Sequence, residues 1–486
     1  MSRVSPLLLV VVVWAAIYLP ALGFFEIKGE EGRRILPAVG MLESGNYLVP
    51  SVGGDPYFRK PPLINWIIAG SFKLFQVRNE WTARAPSVLC ILLVALAFVT
   101  VARTTLGERG STMAALIWLT NFGTLEKGRL IEIEALYISI CALAMIFWLS
   151  FWQQRRSPWL LWLVPSIFLG LGWLAKGPTH LLFFYALVCA VLWQTKQWRI
   201  LLHPAHFIGL ALMGGIFAAW AIPFMHVQES GKVLNKWSGQ FTGRVTGEFF
   251  HVWVWATALP RAVCYFLPWL VVVPFIRFSK LHAEDDRKLA RALAWSTAAP
   301  LVVINLIPGA APRYSLPVLT PFCWLLGMIF AEDAFATTAW LDWIGRPLWP
   351  RFGKGIVIVA IVAGLVGFPL LAWAVNHRGS VPRAVRGAVP EQKVKYIGEK
   401  INGAMPATET LYAVDPNYQP FFFYIRAPVK YLDRLEELPA ETHYFVVRPD
   451  NEAAAAQLEE WAPRHPREVL RNKDYRKQTV ILFAVE

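Results

Sequence analysis

Apolar residues in this chain fall in long blocks rather than alternating with polar ones. The first block, "SPLLLVVVVWAAIYLPALGFF", holds about twenty near-continuous apolar residues, enough to cross a hydrocarbon core of about 30 Å. No small-x-small cleavage site follows it and many further blocks do, so it reads as a span rather than a signal peptide. Runs near 85–102, 111–122, 134–152, 158–175, 178–193, 205–225, 257–276, 290–307, 314–331 and 355–375, with a shorter one at 62–77, predict about 11–13 transmembrane helices. After Asn376 the blocks shorten to strand length: "TLYAV" (410–414), "FFFYI" (421–425), "HYFVV" (443–447) and "TVILFAV" (479–485). An Ala-rich segment, "NEAAAAQLEEW", reads as a helix between the last two. The expected architecture is a polytopic α-helical membrane domain over 1–375, with an external loop at 26–61, followed by a small soluble α/β domain over 376–486.

Composition agrees with the blocks. The chain is 56% hydrophobic and 16% charged, against about 25% charged in soluble domains. Its net charge of +14 follows from basic loops that orient a polytopic protein, so no nucleic-acid partner is implied. The five cysteines lie inside apolar runs without metal-ligand spacing, and no disulfide framework is implied. "QQRRSP", "QTKQWR", "DRKLAR" and "RPLWPRFGK" share one side if the N-terminus is cytoplasmic, which places 26–61, 123–133, 226–256, 308–313 and the tail outside. One region opposes this rule. From Glu26 to Arg84 eight basic residues (Lys28, Arg33, Arg34, Arg59, Lys60, Lys73, Arg78, Arg84) face six acids. Binding an anionic group would favour bases there.

The candidate chemistry sits in the same region. Glu30 and Glu31 emerge just beyond the first span, and "RRILPAVGMLESG" has the helix-like spacing of an interfacial helix ending at Ser-Gly. A partly desolvated carboxylate is a good general base, because burial raises its pKa toward neutrality. Arginines three and four residues later share a helical face with it and suit a phosphate. A solvated juxtamembrane loop is the alternative. In "YFRKPPL" the two prolines stop a helix and hold Arg59 and Lys60 at the membrane surface, as phosphate ligands or as snorkelling anchors.

These stretches resemble the first external loop of the polytopic GT-C glycosyltransferases, in the bacterial protein-mannosyltransferase and aminoarabinose-transferase-like branch. The resemblance continues in "GRLIEIEALYI" (128–138), "GLGWLAKGP" (170–178), "FLPW" and "PRYSLPVLTP" (312–321), and covers about residues 5 to 330. It implies inverting transfer of one sugar from a polyprenyl-phosphate (undecaprenyl-phosphate) donor to a lipid, glycan or protein acceptor. It also implies a bacterial inner-membrane location with a periplasm-facing site and a monomeric enzyme. In its terms Glu30 is the base, with Glu31 the neighbouring alternative where the family usually has Asp-Glu. Glu134, with Glu132 as alternative, is a second external acid. Arg33, Arg34, Tyr57, Arg59 and Lys60 would hold the donor, and His251, Arg313 and Tyr314 would line the cavity. Arg59 stands where the family often has an acid, which favours an anion site over a metal. No cofactor is implied. Lys176 reads as a site residue or a topology anchor.

Two other classes remain open on the sequence. A flippase of lipid-linked sugars would place ionisable residues mid-span and repeat its halves. A ligase using diphosphate-linked glycans would share the fold.

Overall fold

A computed structural model describes residues 5–57, 59–228, 250–336, 348–416, 419–449, 466–474 and 476–485, with a few single positions between them. The chain divides into two compact units. One comprises residues up to Pro20, Arg59–Leu63 and Ala85–Phe368; the other comprises Ala21–Phe58, Ile64–Arg84 and Pro369–Glu486.

The first unit is helical. Among the described residues seven helices are long and apolar enough to cross a membrane, and the bent pair Ala258–Cys264 and Trp269–Phe275 makes an eighth candidate. Three shorter apolar helices, Pro6–Tyr18, Leu63–Phe75 and His180–Thr195, account for further runs seen in the sequence. Helix starts follow local chemistry. Ser157 and His203 each precede a proline at the first helical position and accept a backbone N–H with their side chains. Helices then close on one another through small residues and buried indoles. A Cβ on Gly327 would lie 2.8 Å from the Gly110 carbonyl, so the Arg103–Thr120 and Leu319–Ala331 helices cross where only glycine fits. Trp14 donates to the Val88 carbonyl at 2.8 Å and Trp118 to that of Ile91 at 3.1 Å, so neither buried indole N–H is stranded.

The second unit is α/β. Strands β1 (Ser51–Val52) and β2 (Asp55–Pro56) form a small antiparallel hairpin. Strands β3 (Leu411–Val414), β4 (Val429–Leu432), β5 (Tyr444–Val447), β6 (Arg467–Lys473) and β7 (Thr479–Ala484) form a mixed sheet of order β4-β3-β5-β7-β6. Parallel pairs join β3 to β4 and β5; antiparallel pairs join β7 to β5 and β6. Tyr412, Val414, Phe445, Val447, Ile481 and Phe483 make its core.

Three of the four expected strands form, at 411–414, 444–447 and 479–484. The fourth does not: Pro420–Tyr424 is a 3₁₀ helix with Phe421, Phe422 and Phe423 all buried. A continuous apolar run carries no period to tell a buried strand from a buried helical turn, and Pro420 at its first position favours the turn. The expected helix at 451–461 lies almost wholly outside the described residues. The sequence reading missed β4, β6 and the Lys393–Ala404 helix.

Candidate active site

In the second unit the Gly32–Ser44 helix forms as its spacing predicts and ends at Gly45, whose φ of 71° is the left-handed conformation that glycine adopts at a helix end. A short 3₁₀ turn, Gly29–Glu31, precedes it and carries the two acids. They point to different surroundings. Glu30 is partly exposed, its side chain 27% accessible, and it meets Arg33 at 2.9 Å and Arg34 at 3.6 Å. Glu31 is turned inward, with both oxygens held at 2.9 Å by Arg84 Nε and Nη2. The remaining Arg84 donors go to the carbonyls of Leu22, Phe25 and Glu26. Glu31 is thereby committed to shaping the loop, and its carboxylate is not presented to an incoming group.

Arg34 and Tyr57, read as phosphate ligands, are buried and bonded to each other, the guanidinium donating to the hydroxyl at 3.0 Å. Asn65 donates to the Arg34 carbonyl at 2.7 Å, fixing the same turn. Arg33, by contrast, keeps about a quarter of its side chain accessible. Part of the basic excess between Glu26 and Arg84 also finds partners here: Arg84 with Glu31, Arg78 with Glu43 at 3.3 Å, and Lys73 over the Tyr47 ring.

In the first unit Glu134 lies in the first turn of the Ile133–Gln153 helix, where a carboxylate meets the positive end of the helix dipole. Its Oε1 is 3.1 Å from Lys176 Nζ and 3.1 Å from Arg313 Nε. Lys176 is the last residue of the Pro158–Lys176 helix, which Gly177 (φ 109°) and Pro178 terminate. The ammonium sits over the rings of Tyr137 and Tyr314, at 5.0 and 4.7 Å. Lys176 thus joins the cluster of Glu134, Arg313, Tyr137 and Tyr314. Beside this cluster Lys127 bridges Glu126 (3.0 Å) and Glu132 (3.1 Å). Burial pushes the Glu132 carboxyl above its ordinary value, Lys127 opposes this, and the Glu134 charge adds to it. Burial works against the Lys127 charge, but the two acids outweigh it and hold its pKa up.

Arg59, Lys60 and Lys176 also line a cavity of about 160 Å³ with Trp173, Thr179 and Phe217. Trp173 and Phe217 stack at 4.8 Å to form its aromatic wall. Three cations beside a hydrocarbon and aromatic surface suit an anionic group that carries an apolar or ring-shaped substituent. His251 joins none of these clusters. It is exposed at the start of the Val252–Ala256 helix and makes no capping bond there. No group of three or more His, Cys, Asp or Glu side chains suited to a metal occurs among the described residues.

Sequence reasoning singled out Glu30, Glu134, Arg313, Tyr314, Arg59 and Lys60, and left Lys176 between a site residue and a topology anchor; the structure gives each of them the charged or aromatic neighbours described above. It did not find Arg84 or Lys127 as partners of the acids. Lys127, between Glu126 and the Glu132–Glu134 pair, carried a local signal in its spacing; Arg84, 53 residues from Glu31, carried none.

Comparison with solved structures gives this bundle of helices with its small sheet unit an ArnT-like GT-C fold, in a multi-pass membrane protein. Residues 59–222 match the family described as dolichyl-phosphate-mannose-protein mannosyltransferase. The crystal structure of ArnT from Cupriavidus metallidurans bound to undecaprenyl phosphate superposes with a TM-score of 0.70 at 18% identity, covering 98% of this chain and 97% of that one. Undecaprenyl phosphate-alpha-4-amino-4-deoxy-L-arabinose arabinosyl transferase 2 of Pseudomonas fluorescens is 26% identical over 60% of this chain and 53% of its own length. The corresponding transferase of Pseudomonas savastanoi pv. phaseolicola is 24% identical over 65% of this chain and 59% of its own. The chain thus spans little more than half the length of these curated relatives. The resemblance read from the sequence is borne out at the level of fold and family likeness.

Proposed function

We propose that this protein is an inverting glycosyltransferase of the bacterial inner membrane. It moves one sugar from a polyprenyl-phosphate carrier to a lipid, glycan or protein acceptor at the periplasmic face. The observation that carries this reading is the cavity where Arg59, Lys60 and Lys176 converge beside Trp173 and Phe217. A polyprenyl-phosphate sugar is an anion with a ring on one side and a hydrocarbon chain on the other, and the cavity offers both kinds of surface. The solved relative's bound undecaprenyl phosphate and the names of the sequence relatives support the same donor class.

The chemistry follows from the charges. The acceptor hydroxyl attacks the anomeric carbon from the face opposite the phosphate; the new C–O bond forms as the bond to the phosphate oxygen breaks. Glu30 takes the hydroxyl proton, and polyprenyl phosphate leaves as an anion. Fixed cations at the phosphate oxygens stabilise charge that grows in the transition state. Arg33 orients the Glu30 carboxylate, while Glu134, Lys176 and Arg313 orient the sugar or the acceptor. The tail over 376–486 is periplasmic in this reading. Purified protein in nanodiscs, given undecaprenyl-phosphate sugars and envelope lipid, should release undecaprenyl phosphate and a glycosylated product detectable by mass spectrometry. No donor turnover, together with unchanged envelope glycolipids and glycoproteins in cells lacking the protein, would sink the reading.

A further inference from the structure

The second unit contains a buried polar network that the proposed reaction does not use. The Lys393–Ala404 helix has no side-chain cap of its own from Gln392. Its orphan N–H groups go instead to Glu26, whose Oε2 accepts from Val394 N at 2.7 Å and from Lys395 N at 3.1 Å. The capping carboxylate thus comes from a residue 368 positions earlier, four residues before Glu30. Glu26 is 3% exposed, and burial pushes its carboxyl up against the pull of those two amides, Lys28 and Lys395. Its own carbonyl accepts from Arg84, the residue that grips Glu31.

A second tie runs in parallel. The Tyr424 hydroxyl accepts from Ile27 N at 2.7 Å and donates to Glu80 at 3.1 Å, and Lys395 reaches the same Glu80 oxygen at 3.3 Å. Tyr424 is itself anchored, because Asn402 donates to its carbonyl at 2.8 Å. Pro420, from the same 3₁₀ turn, fills the space that a Cβ on Gly32 would need, with its ring 3.0 Å from that position. Tail residues therefore touch the first-loop segment before the two acids, at Glu26 and Ile27, and after them, at Gly32.

We propose that Glu26 and Tyr424 are positioning residues through which the C-terminal tail sets the segment carrying Glu30. The tail contributes no reacting group in this scheme; it fixes the direction from which the base meets the acceptor. The consequence for turnover rests on the reading of Glu30 as base. The test uses the full chain in nanodiscs, with Glu26→Ala, Glu26→Gln and Tyr424→Phe read by hydrogen exchange and by kinetics. Loss of a helix cap should raise exchange in peptides covering 26–34 and 393–404 by about five- to tenfold in Glu26→Ala. Misplacement of the base should lower kcat per folded molecule by about 10- to 100-fold while the donor KM stays nearly constant. Glu26→Gln, which keeps one accepting oxygen, should recover most of both, and Tyr424→Phe should show the smaller version of each. If Glu26→Ala does not accumulate, the other two variants carry the same readouts.

Unchanged exchange at 26–34 in the variants overturns the proposal. So does loosened exchange with wild-type kcat per folded molecule, which would make the tie an anchor only. Full activity in Glu30→Gln would instead overturn the reading of Glu30, and the exchange arm would still decide whether the tail holds the segment.

Discussion

Glu30 and Glu31 are neighbours of the same chemical type, and the fold assigns them opposite work. Glu31 is buried with Arg84 in a bidentate pair whose guanidinium has every remaining bond made to backbone carbonyls. Glu30 stays partly accessible, with two arginines on the next helical turn. A buried pair of this kind contributes little net stability but is costly to break, because the survivor is left charged and unpaired. An accessible pair is cheap to break, which is what a group that must gain and lose a proton requires. One acid is tied into the loop, and the other is left accessible, as the proposed base would need to be.

The sharpest test of that division is Glu30→Gln. Removing a general base typically costs about 10²–10⁴-fold in turnover, and the melting temperature should stay close to wild type because the lost ion pair is accessible. Equal turnover in Glu30→Gln and wild type would dissolve the contrast. Arg84→Ala attacks the other half. It strands the Glu31 carboxylate and should cost about 3–5 kcal/mol of stability, seen as lower yield and a lower melting temperature in detergent. Lys60→Ala extends the comparison to the first unit. Loss of a charged hydrogen bond, worth about 1.5–3 kcal/mol, should weaken undecaprenyl-phosphate binding by about 10- to 100-fold while the protein still purifies. Binding at wild-type strength would mark Lys60 as a membrane anchor.

The smallest effect concerns Glu132, whose folded pKa is raised above the ordinary carboxylate value of 4.5, mainly by burial. A raised carboxyl binds its proton more readily in the folded state. Its contribution to stability is therefore full below the unfolded pKa and is lost as pH rises through the folded one. The melting temperature of wild type minus that of Glu132→Gln should be greatest near pH 4 and shrink toward pH 7. A gap that does not change with pH would mean that Lys127 fully offsets the burial of Glu132.

Features set by neighbours in sequence were legible in it. The Gly32–Ser44 helix and its stop at Gly45 follow from apolar spacing and one residue able to take positive φ. The acids Glu30 and Glu134 and the pair Arg59–Lys60 stand out because charges beside apolar spans are unusual. What could not be read was set at long range. Nothing near Arg84 announces that Glu31 and three carbonyls will converge on it. Nothing in "FFFYI" separates a strand from a buried 3₁₀ turn, since burial on every side erases the period. Nor does Lys176 reveal from its Gly-Pro neighbours that Glu134 waits at the opposite kind of helix end.

The sheet-containing unit is assembled from stretches at both ends of the chain, and this sets an order for biogenesis. Residues 21–84 leave the ribosome first, with Glu26 and Glu80 made long before the Val394, Lys395 and Tyr424 groups that satisfy them. Contacts so distant in sequence form late, after the intervening apolar helices have been synthesised. Until then two acids destined for burial remain hydrated, and the loop bearing Glu30 has only its local structure. A chain that stalls before residue 393 would carry the apolar helices and the candidate catalytic acids without the groups that tie down Glu26 and Glu80. Synthesis of the stretch bearing Val394, Lys395 and Tyr424 would then be the step that sets the proposed base in place.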